Sequence, residues 1–211
     1  MKTKAIFLII SFSLLFGFIT QAQKLSYGVS GGVDLVGVYI PGKFAVQNNT
    51  YPYDNIITYN INGYFAYKSK GIFGVSIEPG FMIKGAKNEL HEALWGDELI
   101  KIRDSYLQLP VLINFHISDR FYFSSGFEFA YMIKYYSLQA NNTELHTLPK
   151  QRFQLSGMVG INYEVMKNID IALRLNHELP YYREFDVFFM YYAQFLVRYK
   201  LNKTLADKIT K

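Results

Sequence analysis

The sequence predicts an all-β fold: an eight-stranded antiparallel up-and-down transmembrane β-barrel, preceded by a cleavable signal peptide. Three observations predict it. Half of the residues are hydrophobic, yet beyond the N-terminal segment no apolar run reaches the roughly 18 residues of a spanning helix. Eight segments alternate with period two instead, each setting a large apolar face against a small polar one. The connections between them alternate short and long, as periplasmic turns and outer loops do in such barrels.

Residues 1–22 read as the signal peptide. Lys2 and Lys4 give a basic start, Ala5 to Ile19 carries no charge, and Thr20-Gln21-Ala22 supplies small residues for cleavage. An apolar stretch of about 15 residues is short of the roughly 20 that a helical anchor needs. Residues 23–201 are then expected to form the barrel, and residues 202–211 a polar C-terminal tail.

The removed segment takes two of the 22 basic residues and none of the 17 acidic ones. The balance that remains is mild and scattered, which argues against nucleic acid as a partner. Cysteine is absent, so an exported chain must hold its fold by hydrogen bonding and packing. The aromatic content is high, with 18 Tyr and 18 Phe against one Trp.

Taken in order, the first strand, Tyr27 to Val38, is rich in glycine but still alternates. Tyr27, Val29, Val33 and Leu35 oppose Gly28, Ser30, Gly32 and Asp34. In the second, Tyr59, Ile61, Phe65 and Tyr67 oppose Asn60, Asn62, Tyr64 and Ala66. In the third, Phe73, Val75, Ile77, Phe81 and Ile83 oppose Gly74, Ser76, Glu78, Gly80 and Lys84. The fourth, Ser105 to Ser118, is the clearest: the odd positions Leu107 to Ile117 are apolar, and Gln108, Asn114, His116 and Ser118 share the other face with Tyr106, Pro110 and Leu112.

The fifth sets Phe121, Phe123, Phe127, Phe129, Tyr131 and Ile133 against Tyr122, Ser124, Gly126, Glu128, Ala130 and Lys134. The sixth sets Phe153, Leu155, Val159, Ile161 and Tyr163 against Gln154, Ser156, Gly160, Asn162 and Glu164. The seventh sets Ile169, Ile171, Leu173, Leu175 and Leu179 against Asp170, Ala172, Arg174, Asn176 and Glu178. The eighth sets Tyr191, Ala193, Phe195, Val197 and Tyr199 against Tyr192, Gln194, Arg198 and Lys200.

Residues 68–71, 118–120 and 166–168 are short turns, whereas 40–55, 85–104 and 136–151 are long and 181–186 is intermediate. A soluble barrel would alternate too. The faces decide. The polar face is small and mild, rich in Gly, Ser, Asn and Gln, which suits a crowded lumen, and the apolar face is large and aromatic, which suits lipid. Each backbone polar group in hydrocarbon needs a partner, so the sheet must close. Tyr27, Tyr39, Tyr131, Tyr135, Tyr163, Tyr181, Tyr191 and Tyr199 fall near strand ends, as interfacial girdles require.

Three segments carry a resemblance. Tyr106-Leu107-Gln108-Leu109-Pro110-Val111-Leu112-Ile113 is similar to a central strand of the form Y-L-x-[LI]-P-[VL]-L. Gly28 to Asp34 looks like a glycine-rich opening strand, and Glu78 to Ala86 like a third strand leaving through K-G-A. In order and spacing the chain resembles the PorT-like outer-membrane β-barrel proteins of Gram-negative bacteria. The resemblance implies an outer-membrane location, no enzyme activity and no cofactor. One member of that family serves a secretion and gliding apparatus, so the expected partners are outer-membrane lipid and other envelope proteins, around a monomeric barrel. One departure concerns the C-terminus. Such barrels commonly finish on an aromatic residue, whereas Tyr199 is followed by Lys200, Leu201 and the polar tail.

Asp34, Glu78, Glu128, Arg174 and Arg198 all fall on inner faces and form the first candidate site. An eight-stranded barrel encloses room for side chains only, so these charges must pair. Glu78 and Glu128 are expected to be bridged by Arg174 and Arg198, as a plug or as a gated solute path. The second candidate is the loop Asn88 to Trp95, where Leu90, Leu94 and Trp95 would share one side of a short helix, either folded over the barrel mouth as structure or serving as a partner- or ligand-binding surface. The histidines His91, His116, His146 and His177 invite an enzyme reading, and His116-Ile117-Ser118 spells an H-x-S pair expected to face inward. No metal site is expected. Three functions follow in order: a structural or interaction barrel, a narrow channel, and an enzyme acting at the outer surface.

Overall fold

The structure, a computed structural model, describes residues 24–39, 54–87, 99–139, 144–145, 152–179 and 189–201. The signal peptide, the tail, His91, His146, Tyr181 and the Leu90, Leu94 and Trp95 surface lie outside the described residues. Among the described residues eleven strands follow one another: β1 (Lys24–Tyr39), β2 (Ile56–Lys68), β3 (Phe73–Ile77), β4 (Gly80–Lys87), β5 (Leu99–His116), β6 (Phe121–Lys134), β7 (Ser137–Gln139), β8 (Glu144–Leu145), β9 (Phe153–Met166), β10 (Ile169–Glu178) and β11 (Phe189–Lys200).

They build a closed, antiparallel barrel of eight staves. The first strand seals it by pairing on both edges, with Val33 opposite Phe195 of β11 and Tyr59 of β2. From β2 the ring runs through β3 and β4, then β5, β6, β9 and β10 back to β11. The third and fourth strands are one stave. Against β2 the register passes from Phe65–Ile77 to Asn62–Gly80, and against β5 from Ile77–Val111 to Gly80–Gln108, without a shift.

Pro79 marks the gap between them because it has no N–H to give the ladder. Its carbonyl still accepts from the Gly63 N–H at 2.8 Å, and the Glu78 N–H donates to the Pro110 carbonyl at 3.0 Å. The wall therefore stays sealed where lipid could not satisfy a broken ladder. The short strand β7 follows β6 along Leu99–Ile102 of β5, and β8 pairs antiparallel with β7.

The predicted faces are the observed ones. Leu107, Ile113, Phe123, Phe127, Ile161, Leu173 and Phe195 are exposed, while Gln108, Asn114, Ser124, Asn162, Arg174 and Gln194 at neighbouring positions are buried. Exposed tyrosines mark both ends of the apolar band: Tyr27, Tyr163 and Tyr199 near the short turns, and Tyr131 and Tyr191 towards the long loops. Two expectations of facing need correction. A register shift at Ser105/Tyr106 places Lys134 opposite Ser105, so Lys134 turns out of the lumen and is exposed. Ser118 is likewise exposed in the β5–β6 turn, where its Oγ accepts from the Arg120 and Phe121 N–H groups.

Candidate functional site

The lumen is filled in tiers. Near the short-turn end, Arg198 donates to the Tyr122 hydroxyl at 2.9 Å and to Asn162 Oδ1 at 2.7 Å. Its guanidinium also lies over the Tyr64 ring, 5.2 Å from the centroid. Lys200 sits between Glu164 and Asp170, at 2.6 and 2.8 Å. Below these groups a recess of about 60 Å³ opens towards the short turns, bordered by Lys68, His116, Tyr122, Glu164 and Lys200.

At mid-height Glu78 is held from two sides. Arg174 donates to both of its carboxylate oxygens, at 2.9 and 2.6 Å, and Arg198 approaches Oε1 at 3.2 Å. All three side chains are at most 1 % exposed. The stave carrying Glu78 and strand β10 lie four apart in a ring of eight, so this fork spans the lumen. A bidentate arginine suits that task because its planar donors match both carboxylate oxygens.

Towards the long loops Lys84 takes over. Its ammonium donates to Glu128 Oε1 at 2.9 Å and lies over the Tyr106 and Tyr192 rings, 5.0 and 4.7 Å from their centroids. Gln154 links the Tyr106 hydroxyl at 2.9 Å to this group. Asp34 accepts from Asn60 Nδ2 at 2.7 Å. On this side of the lumen Val36, Met82, Tyr106, Ala130, Met132 and Tyr192 form a buried cluster.

Of the five charges read from the sequence, Glu78, Arg174 and Arg198 come together. Glu128 does not join them: Lys84, not an arginine, is its ion-pair partner. Asp34 is buried and held through Asn60, away from the arginine fork. Lys84, Asp170 and Lys200 complete the network, and the signal that finds them is the same inward parity. The H-x-S residues are placed apart in role: the Ser118 Oγ accepts from two N–H groups of the exposed turn, and His116 lies against Tyr122 with ring centroids 4.7 Å apart. His177 faces outward near the long loops, its Nδ1 2.8 Å from the Glu178 carbonyl. Among the described residues, no three side chains converge to hold a metal.

Two glycines shape the wall around this network. Gly28 and Gly32 of β1 face the lumen, and a Cβ on either would collide with the backbone carbonyl oxygen of Tyr199 or Phe195. They let β1 lie close to β11.

Comparison with known proteins agrees with this architecture. Residues 21–183 match the family described as outer membrane protein beta-barrel domain. No curated protein matches the sequence. Among solved structures, the attachment invasion locus protein Ail of Yersinia pestis has 14% identity and a TM-score of 0.52, covering 85% of this chain and 100% of Ail. Ail in complex with the heparin analogue sucrose octasulfate gives 13% and 0.50 over the same shares. The Neisserial surface protein A has 9% identity and a TM-score of 0.55, again covering 85% of this chain and all of the other. At these identities the likeness is one of fold. The chain belongs to the outer membrane protein beta-barrel domain family and is an integral protein of the outer membrane.

Proposed function

We propose that this barrel is a sealed outer-membrane scaffold that works by interaction, presenting its outer loops to other envelope components, without catalysis. The observation that carries this reading is the Arg174–Glu78–Arg198 group, which occupies the centre of the lumen with fully buried, mutually bonded side chains. The buried cluster on the long-loop side adds a second seal. A solute path would have to part both, and separating a buried ion pair costs several kcal/mol. The PorT-like resemblance favours an envelope assembly as the setting. It rests chiefly on the Tyr106 to Ile113 segment, which lies in β5 between the staves of β4 and β6.

Planar-bilayer recording tests the seal. The wild-type barrel is expected to show no unitary conductance, and stable openings would replace the scaffold by a channel. Crosslinking in native membranes, followed by identification of the captured proteins, tests the interaction role. Recovery of the barrel alone, with no reproducible envelope partner, overturns it.

A further inference from the structure

Above the apolar band, one side of the barrel is basic. On the β4–β5–β6 wall the last apolar rows are Phe81–Leu107–Tyr131 and the Ile83 and Ile133 positions beside Ser105. The next outward positions are Lys134, opposite Ser105, and Arg103, whose N–H and carbonyl pair with Tyr136 at 2.8 and 3.1 Å. Arg103 and Lys134 are both exposed. They stand diagonally across the β5–β6 pair, a Cα separation of roughly 7–8 Å, so their long side chains can converge on one anion. Lys87 lies one row further out on β4, in register with Lys101.

Among the described residues, the neighbouring acids Asp104 and Asp54 are directed elsewhere. Asp104, beside Arg103, points into the lumen and is buried. Asp54 meets Lys87 through a backbone bridge, which leaves Arg103 and Lys134 as the centre. On the opposite wall the described outward positions carry no Lys or Arg: Leu175, His177, Leu179 and Tyr191, whose hydroxyl donates to Asn55. The patch owes its second cation to the register shift that turns Lys134 outward.

We infer that Arg103 and Lys134 seat the phosphate groups of an outer-leaflet glycolipid, with its acyl chains lying along Leu107, Tyr131 and Ile133. Three features favour this occupant. The cations face outward, away from the lumen. They sit immediately beyond the apolar band, at headgroup height. An arginine fork next to an ammonium suits a phosphate, and basic groups at a membrane surface are worth about fivefold each in anionic-lipid binding.

The test uses the full barrel in phosphatidylcholine nanodiscs containing small equal amounts of diphosphorylated lipid A, dephosphorylated lipid A and phosphatidylglycerol. Native mass spectrometry after gentle detergent release reads the lipids that remain bound. Wild type is expected to retain the diphosphorylated form about twentyfold over the dephosphorylated one. Arg103→Gln/Lys134→Gln should bring that ratio near one, and Lys134→Gln alone should lower it about fivefold. Lys70→Gln/Lys167→Gln, at the other end of the barrel, should leave it unchanged. Heat-modifiable migration confirms that each variant is folded. Equal retention of the two lipid A forms by wild type overturns the inference, as does a preference that survives in the double variant. Equal enrichment of phosphatidylglycerol, or full competition by inorganic phosphate, overturns the glycolipid as the occupant.

Discussion

Arg174 crosses the lumen to bind Glu78 through two parallel hydrogen bonds, although 96 positions separate the two residues in sequence. The pair ties together staves on opposite sides of the ring, so it reports closure itself and not local strand pairing. Arg198 reaches the same carboxylate from β11 at 3.2 Å.

Removing one member of this group should therefore be costly. Arg174→Ala is expected to destabilise the folded barrel by about 3–5 kcal/mol, because a buried carboxylate loses its bidentate partner. Glu78→Ala strands two arginines and should cost at least as much. Urea-driven unfolding in lipid vesicles, followed by tryptophan-independent heat-modifiable migration, checks both. A loss below about 1 kcal/mol would mean that water already reaches the site and screens it.

Much of this arrangement was legible in the sequence, and the part that was not has a physical cause. Period-two alternation assigns a residue to a face, and it placed Glu78, Arg174, Arg198, Lys84 and Asp170 inside. Alternation does not assign height. Strand tilt and stagger decide which inward residues share a level, so Glu128 meets Lys84 on β4 and not an arginine. Lys134 was misassigned because one extra residue at the Ser105/Tyr106 shift reverses parity, and no Gly or Pro near Lys134 announces it. Pro79 does not break the third stave, because its carbonyl alone suffices to keep the pairing with Gly63.

Lys84 offers a sharper test of how the lumen is held. Lys84→Met leaves Glu128 buried without its ammonium and is expected to cost about 3–5 kcal/mol. Adding Glu128→Leu removes the stranded charge and should recover most of that loss, since apolar groups of similar volume often replace buried pairs at no cost. The comparison is made by urea midpoints of the two variants and wild type. A double variant as unstable as Lys84→Met would show that the ammonium matters through Tyr106 and Tyr192, not through Glu128.

The glycines of β1 make a separate prediction about wall geometry. Gly32→Ala puts a methyl group against the Phe195 carbonyl and should destabilise by about 1–3 kcal/mol through forced backbone shifts. Gly157→Ala is the control, because nothing lies within 4 Å of its added Cβ, and it should change stability by no more than about 0.5 kcal/mol. Equal effects at the two positions would mean that the β1–β11 seam is looser than its register indicates.

The depth dependence of charge on the outer wall tests where the bilayer sits. Leu173 lies mid-stave, between Ile161 and Phe195, and is half exposed to the surroundings. Leu173→Arg should therefore cost about 2–4 kcal/mol in a lipid bilayer. Ile57 is more exposed still, but it pairs with Leu35 near the long-loop end of β2. Ile57→Arg should cost no more than about 1 kcal/mol, because its guanidinium reaches the headgroups. Unfolding of both variants in vesicles of one acyl length checks the pair. If the two substitutions cost the same, the apolar band does not mark the hydrocarbon core, and the seat assigned to Arg103 and Lys134 loses its headgroup height.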